Sequence, residues 1–560
     1  MKTKLLSAAI AAVSLAGFSQ GAFAIAPNVT PDIEIYMSGA TAQDKAIRAL
    51  FINLCGKPNA VNPTGGSLSQ DLDIYATTGA TAGHVAYFCT LKTQSAANPT
   101  GVPNLTVNGA AVAQATVLLH KRSAGGSAQG VNPLIAGTPI AAMPVNAANC
   151  AGAPVVGADG QSTTTCTSTV NVASDAGISD VEPAQFIGAN VPFGSSAVTS
   201  TANITVQPAA ALLFGVPVTT NLYVALQKVQ GLLDAPLSCT PGAYTDACMP
   251  SLSKEQIATL TAGKVASWTQ FMVNYKGTVQ SLVAAASNPA GPTTFVELGG
   301  GAAKNIAPTN TQFHYCKRVD GSGTNAVHNI NFLHNPCLGA ASGLDEGDWN
   351  NLLGGRQKHE VSGSSDIENC LTDFSNGTNL GRQQNASPDL GNFTTVINTG
   401  GTTPPVAPGA TGWAIGQQSM ENNAGAIPAK NYRFIKIDGV APTLENAFRG
   451  KYMHWSEPTY QWRNDASVDK RTVVQKIATD AASPAVLASD LNPTFVHAFG
   501  ASGYLANGNN FAFTHVFNPA SPVMPYSHAA DGAALNNCKV PVMTRANTAV
   551  PANNTNRPIQ

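Results

Sequence analysis

Three short loops rich in Ser, Thr and Gly recur along this chain, each directly after a strand-like run. Ser38-Gly39-Ala40-Thr41-Ala42 follows the alternating run Ile33-Glu34-Ile35-Tyr36-Met37. Ser123-Ala124-Gly125-Gly126-Ser127 follows Thr116-Val117-Leu118-Leu119-His120 by way of Lys121 and Arg122. Arg318-Val319-Asp320-Gly321-Ser322-Gly323-Thr324 follows Phe313-His314-Tyr315-Cys316. Where such a loop opens a helix, its free N–H groups and the positive end of the helix dipole favour an anion. Glycine lets the backbone approach closely, and the hydroxyls add donors. One loop of this kind is most often a helix N-cap and nothing more, because Ser and Thr are favoured there. Three of them, joined by Arg318 and by the pair Ser179-Asp180, point instead to a small oxyanion. Arg318 can offer two oxygens a planar fork of charge-assisted hydrogen bonds. The sequence has no GxSxG elbow and no HExxH or other dense ligand set, so no catalytic residue, metal or other cofactor is expected.

The same residues carry a resemblance. Arg318–Thr324 resembles the signature loop of the phosphate-binding proteins that serve high-affinity phosphate ABC transporters. That resemblance implies an α/β fold of the two-lobed type 2 periplasmic-binding kind, here with long loop insertions. In that family the Arg bonds phosphate ionically and the Ser-Gly-Thr run cradles its oxygens, which makes Arg318, Ser322, Gly323 and Thr324 implied ligand residues. Ser38–Ala42 resembles the family's first binding loop, with Thr41 at the hydroxyl position and Ala42 at a backbone-donor position. Ser123-Ala124-Gly125-Gly126 is similar to its Ser-Ser-Gly-Gly loop, whose contact is the first Ser, here Ser123. Ala176-Gly177-Ile178-Ser179-Asp180 resembles its Gly-Ala-Ser-Asp segment, whose Asp faces the ligand. Looser matches run through Leu252–Trp268, Gly412–Gly416, Val440–Asn446 and Lys451-Tyr452. The implied ligand is inorganic phosphate or a similar oxyanion, the implied partner an ABC permease, and no reaction is expected. The implied lobes are 25–210 with 415–560, and 211–414.

An acid at an anion site calls for a reason. Phosphate that keeps a proton can donate its P–O–H to Asp180, whereas fully ionised sulfate would set a bare oxygen against the carboxylate. A buried group left without its partner costs about 1–3 kcal/mol, which is roughly tenfold to several hundredfold in selection. The plainer alternative is that Asp180 caps a turn ahead of Val181-Glu182-Pro183. Two departures from the family's pattern stand out. Ala42 replaces a bulky aromatic, opening the pocket wall there. Gly130, Asn132 and Pro133 follow the second loop, poor residues for the helix expected next, and a long insert then precedes Asp180.

Local elements must hold these loops in place. Ile47, Leu50, Phe51 and Leu54 fall on one helix face, and Thr41 with Asp44 suggests a capping box ahead of them. Ser253–Gln256 is a second capping box, with Gly263 placed to end its helix. Residues 136–172, 374–410 and the tail after Pro519 read as surface loops. Trp413, Trp455 and Trp462 read as core of the returning lobe, and the scattered histidines, His328 and His334 among them, as surface or packing residues.

The bulk composition narrows the class further. Residues 1–24 carry Lys2 and Lys4, an apolar run and Ala22-Phe23-Ala24, the pattern of a cleaved export signal. The expected location is therefore the periplasm or outside the cell, without membrane insertion. Ten cysteines agree with an oxidising compartment. The nearest-neighbour pairing would be Cys55/Cys89, Cys150/Cys166, Cys239/Cys248, Cys316/Cys337 and Cys370/Cys538. Only 11% of residues are charged and the net charge is −1, so no basic face invites nucleic acid or a membrane surface. Two rivals remain open: a phosphate-ester hydrolase using the same cradle, and a surface protein that reuses the binding fold for another role.

Overall fold

The computed structural model describes residues 27–55, 72–78, 83–156, 161–192, 194–337, 356–378, 380, 411–514, 516–529 and 534–543. The export signal expected over 1–24 and most of the 374–410 stretch lie outside the described residues. Two sheets organise the rest into a two-lobed α/β fold. In the first, the order is Ile204–Pro208, Thr459–Arg463, Ala176–Ser179, Ile33–Gly39, Gln114–Arg122, His84–Lys92, Asp73–Thr77, Ser162–Cys166 and Val155–Val156. Ile33–Gly39 runs parallel to both Ala176–Ser179 and Gln114–Arg122. The second sheet follows Ser251–Leu252, Tyr432–Ile437, Ala211–Thr219, Gly412–Gly416, Asn310–Arg318 and Gln357–Val361. There, Asn310–Arg318 runs parallel to Gln357–Val361 and to Gly412–Gly416. Ligand sites on such sheets form beyond the carboxyl ends of parallel strands. Gly39, Arg122, Ser179 and Arg318 are four such ends.

Each sheet has its own core. Ile35, Leu50, Phe51, Tyr460 and Trp462 pack on the first, and Trp268, Phe313, Trp413, Phe434 and Trp455 on the second. The strand Ala211–Thr219, buried throughout, joins them: Leu212 and Phe214 enter the first core, Leu213, Val216 and Val218 the second. The helix expected after the first loop is Asp44–Leu54, with Ile47, Leu50, Phe51 and Leu54 all buried. Ser253 and Gln256 form their capping box, and Gly263 follows the helix at φ +67°.

Several expectations change. The second sheet holds Tyr432–Ile437 and Trp455–Ser456 and takes back Tyr504–Asn507, with Thr459–Arg463 in the first sheet between them, so the chain after 414 is shared between the two sheets. Trp413 and Trp455 accordingly fill the second core, and only Trp462 the first. Residues 136–172 are not a loose loop: Ile140–Ala142 pairs with Val170–Val172, and Ser162–Cys166 joins the first sheet beside Asp73–Thr77. Met143 and the Cys150–Cys166 bridge give that insert a small core with Tyr75, Phe88 and Leu118. The described part of the tail also packs, burying Val523, Met524, Tyr526 and Asn537. The Thr41–Asp44 capping box is absent, because the Asp44 carboxylate is taken up by Lys121 and Ser123.

Three disulfides pair as expected, Cys55–Cys89, Cys150–Cys166 and Cys239–Cys248. The other two are Cys316–Cys370 and Cys337–Cys538, which corrects Cys316/Cys337 and Cys370/Cys538. Helix Ser364–Asn376 packs on strand Asn310–Arg318 and brings Cys370 opposite Cys316, while the helical run after Arg318 carries Cys337 away toward the tail. Five bridges suit an oxidising compartment. No helix among the described residues is long and apolar enough to cross a membrane.

Candidate functional site

The three loops and the Ser179-Asp180 turn meet where the two sheets face each other. Asp180, at the end of Ala176–Ser179, is 1% exposed, and so is Arg318, at the end of Asn310–Arg318. Thr324 Oγ1 donates to Asp180 Oδ2 at 3.4 Å, and Gln43 Nε2 donates to Oδ1 at 3.5 Å. Residues from the first loop and the Arg318 loop thus reach the same carboxylate. Burial pushes the Asp180 carboxyl up to about 6, against the opposing pull of the Arg318 guanidinium, Gln43, Lys121 and Thr324. Arg318 Nε and Nη2 both donate to the Ser362 carbonyl, at 3.1 and 2.6 Å, which fixes the plane of the guanidinium.

The loops touch at backbone distance. A Cβ on Gly323 would lie 2.2 Å from Ser127 Oγ and 2.7 Å from Asp180 Oδ2, so only glycine fits there. Ala128 N donates to Gly321 O at 2.8 Å, and Asp180 N to Ser127 Oγ at 3.1 Å. Gly130 is confined in the same way: a Cβ there would meet the carbonyls of Ser38 and Ile178 at 2.6 Å. This contact draws the second loop onto the ends of Ile33–Gly39 and Ala176–Ser179. It also explains the helix-poor residues that follow, since the chain makes only a 3-10 turn over Ser127–Gly130 and a short helix over Asn132–Ala136.

The anticipated donors differ in state. Thr41 Oγ1 and Ser322 Oγ are buried and find no hydrogen-bond partner among the described residues. Ala42 is fully buried in the turn Thr41–Gln43. Ser123 is engaged: its hydroxyl donates to Asp44 Oδ1 at 2.7 Å and accepts from Lys121 Nζ at 3.1 Å. Lys121 also bonds Asp44 at 2.9 Å and the carbonyls of Gly39 and Ala40 at 3.1 Å each. Ser123 therefore serves the loop's own architecture.

No family model matches the chain. Nor does any curated protein. Among solved structures, a putative phosphate ABC transporter substrate-binding protein with bound phosphate from Clostridium perfringens is similar at 12% identity and a TM-score of 0.33, over 80% of this chain and 96% of that one. An ABC-type phosphate transport receptor from Vibrio cholerae is similar at 10% identity and a TM-score of 0.25, over 55% of this chain and 74% of that one. At such overlaps the strand order, not the likeness, defines the fold.

Several residues of the site lie outside the expected ligand set. Gln43 and Asp44 stand directly after Thr41-Ala42, and Lys121 just before Ser123, so adjacency was a signal. Ser362 and Glu421 gave none. Glu421 is 3% exposed, and burial raises its carboxyl well above the usual range, with Asp44 and Asp180 adding to the effect and Lys45 opposing it. The site thus combines a buried guanidinium, the buried carboxyls of Asp180 and Glu421, and two buried hydroxyls without a partner among the described residues. It suits a tetrahedral anion that can both accept and donate hydrogen bonds.

Proposed function

We propose that this chain is an exported solute-binding protein that encloses a small oxyanion, inorganic phosphate, between its two lobes, with an ABC permease as its partner. The observation that carries the reading is one convergence. Strand ends from two separate sheets bring Gln43 and Thr324 onto the Asp180 carboxylate, within reach of the Arg318 charge, and the buried hydroxyls of Thr41 and Ser322 on the same loops have no partner among the described residues. Arg318 supplies the positive charge, and Thr41 and Ser322 supply donors, with Ala42, Gly323 and Thr324 shaping the wall. Asp180 accepts the proton that monohydrogen phosphate retains and sulfate lacks. Ser123 acts through Asp44 and Lys121 rather than on the anion.

Calorimetry on residues 25–560 near pH 7.5, against phosphate, sulfate, arsenate and molybdate, tests this. Phosphate and arsenate should bind, with sulfate weaker by roughly tenfold or more, as an unpartnered buried carboxylate requires. Heat from none of the four anions would sink the proposal, and equal affinity for sulfate would remove Asp180 from it.

A further inference from the structure

One disulfide joins two segments that flank this site. Cys337 and Cys538 are bridged across 201 residues. Cys337 lies just beyond Leu333, where the helical run that opens at Gly323 ends, so it travels with Arg318, Ser322 and Thr324. Cys538 follows Asn537, whose backbone N and Nδ2 both donate to the Glu182 carboxylate and whose Oδ1 accepts from Glu457 N at 3.1 Å. Glu182 stands just past Asp180 in the chain. The path therefore runs from Asp180 through Glu182 and Asn537 to the bridge, and back along the helical run to Thr324, which bonds Asp180 again. Around it the seam is sealed by buried contacts. Asn329 Nδ2 donates to Asn190 Oδ1 at 3.0 Å, and Ala326, Val327 and Ile330 belong to the first core although their segment springs from the second sheet.

We infer that the Cys337–Cys538 disulfide is a latch that fastens the Arg318 side of the site to the Asp180 side and so governs how fast a bound anion exchanges. This rests on the oxyanion reading above. Entry and exit require the Arg318 loop to move off Asp180 and Ser127. The hydrogen bonds along the seam break and re-form in local opening, but a covalent bond does not. The latch is also the bridge most open to reagents. Cys337 and Cys538 are both partly exposed, whereas each of the other four disulfides has at least one buried partner. An external dithiol would pass two electrons and two protons to the sulfurs, leaving two thiols and closing to its own disulfide.

The test loads the wild-type chain and a Cys337→Ser/Cys538→Ser variant with radiolabelled phosphate and chases with unlabelled phosphate. Release from the variant should be about tenfold faster or more, as expected when a sub-global opening is set free. Dithiothreitol should bring the wild type to the variant's rate and leave the variant unchanged. Equal release from a folded variant and the oxidised wild type overturns the latch. If neither protein holds phosphate, the oxyanion reading falls, and amide hydrogen exchange over Gly323–His328 then decides the latch alone. Faster exchange in the variant supports it, and unchanged protection overturns it. Should the variant fail to fold, mild reduction of the wild type supplies the same comparisons.

Discussion

Asp180 and its neighbours Glu182 and Glu457 are all carboxylates buried near the seam, and they are treated in opposite ways. Glu457 is 0% exposed and fully engaged: Oε1 accepts from Asn507 Nδ2 at 2.6 Å and from Ser527 Oγ at 2.8 Å, and Oε2 from His528 N at 2.7 Å. Glu182 takes Gln185 and both nitrogens of Asn537. Among the described residues, the Asp180 carboxylate has only the two long bonds from Gln43 and Thr324, at 3.5 and 3.4 Å. Burial raises both Asp180 and Glu182, so what separates them is partners, not depth. A satisfied carboxylate ties the tail to the core. A half-satisfied one costs stability, and such a residue is retained where a ligand completes it.

The largest expected effect lies on the satisfied side. Glu457→Ala removes the acceptor shared by Asn507, Ser527 and the His528 amide, which should cost about 3–5 kcal/mol of unfolding free energy. A urea titration measures it. A loss under about 1 kcal/mol would place this cluster among ordinary surface contacts and erase the contrast with Asp180.

Asp180→Asn should move stability the other way. A carboxyl near pH 4 in the unfolded chain and about 6 when folded binds more protons in the native state. Its stabilising contribution is complete below about pH 4 and is lost as pH rises to about 6, so the ionised group burdens the neutral protein. The full shift corresponds to about 2–3 kcal/mol, recovered by the amide in the ligand-free chain at pH 7.5 and absent at pH 4. Arg318, Lys121 and Glu421 share this environment. Subtracting wild type from variant across the pH range isolates Asp180 from them. The same substitution should weaken selection against sulfate. A variant no more stable than wild type at pH 7.5 would mean that the native partners already satisfy the carboxylate.

What could be read from the sequence was local. Helix Asp44–Leu54 announced itself by Ile47, Leu50, Phe51 and Leu54, and Lys254–Thr261 by Ser253 and Gln256, because each signal lies within two turns of chain. The loops at Thr41, Ser123 and Arg318 were visible for the same reason. What they touch was not. The Ser362 carbonyl under Arg318, the Asp44 carboxylate that claims Ser123, and the pairing of Cys316 with Cys370 depend on strands and helices that meet only after folding. Residues 136–172 misled in the same way: their sparse apolar side chains suffice once Cys150 and Cys166 are bridged against Tyr75 and Phe88. Glu457 looked unremarkable until its three donors, all more distant along the chain, closed over it.

The smallest effect on stability should come from Ser322→Ala, and it separates the two sides most sharply. Ser322 is 1% exposed, its Oγ has no partner among the described residues, and its backbone N donates to Val319 O at 3.0 Å, which alanine preserves. Removing a buried hydroxyl that makes no bond leaves nothing else unsatisfied, so the ligand-free chain should change by less than about 0.5 kcal/mol. If that hydroxyl meets the anion, phosphate affinity should fall by about 1–1.5 kcal/mol, roughly tenfold. Calorimetry beside a denaturant titration reads both quantities on one preparation. A variant that loses stability but binds phosphate unchanged would assign Ser322 to the architecture with Glu182 and Glu457, and leave Arg318 and Thr41 to hold the anion.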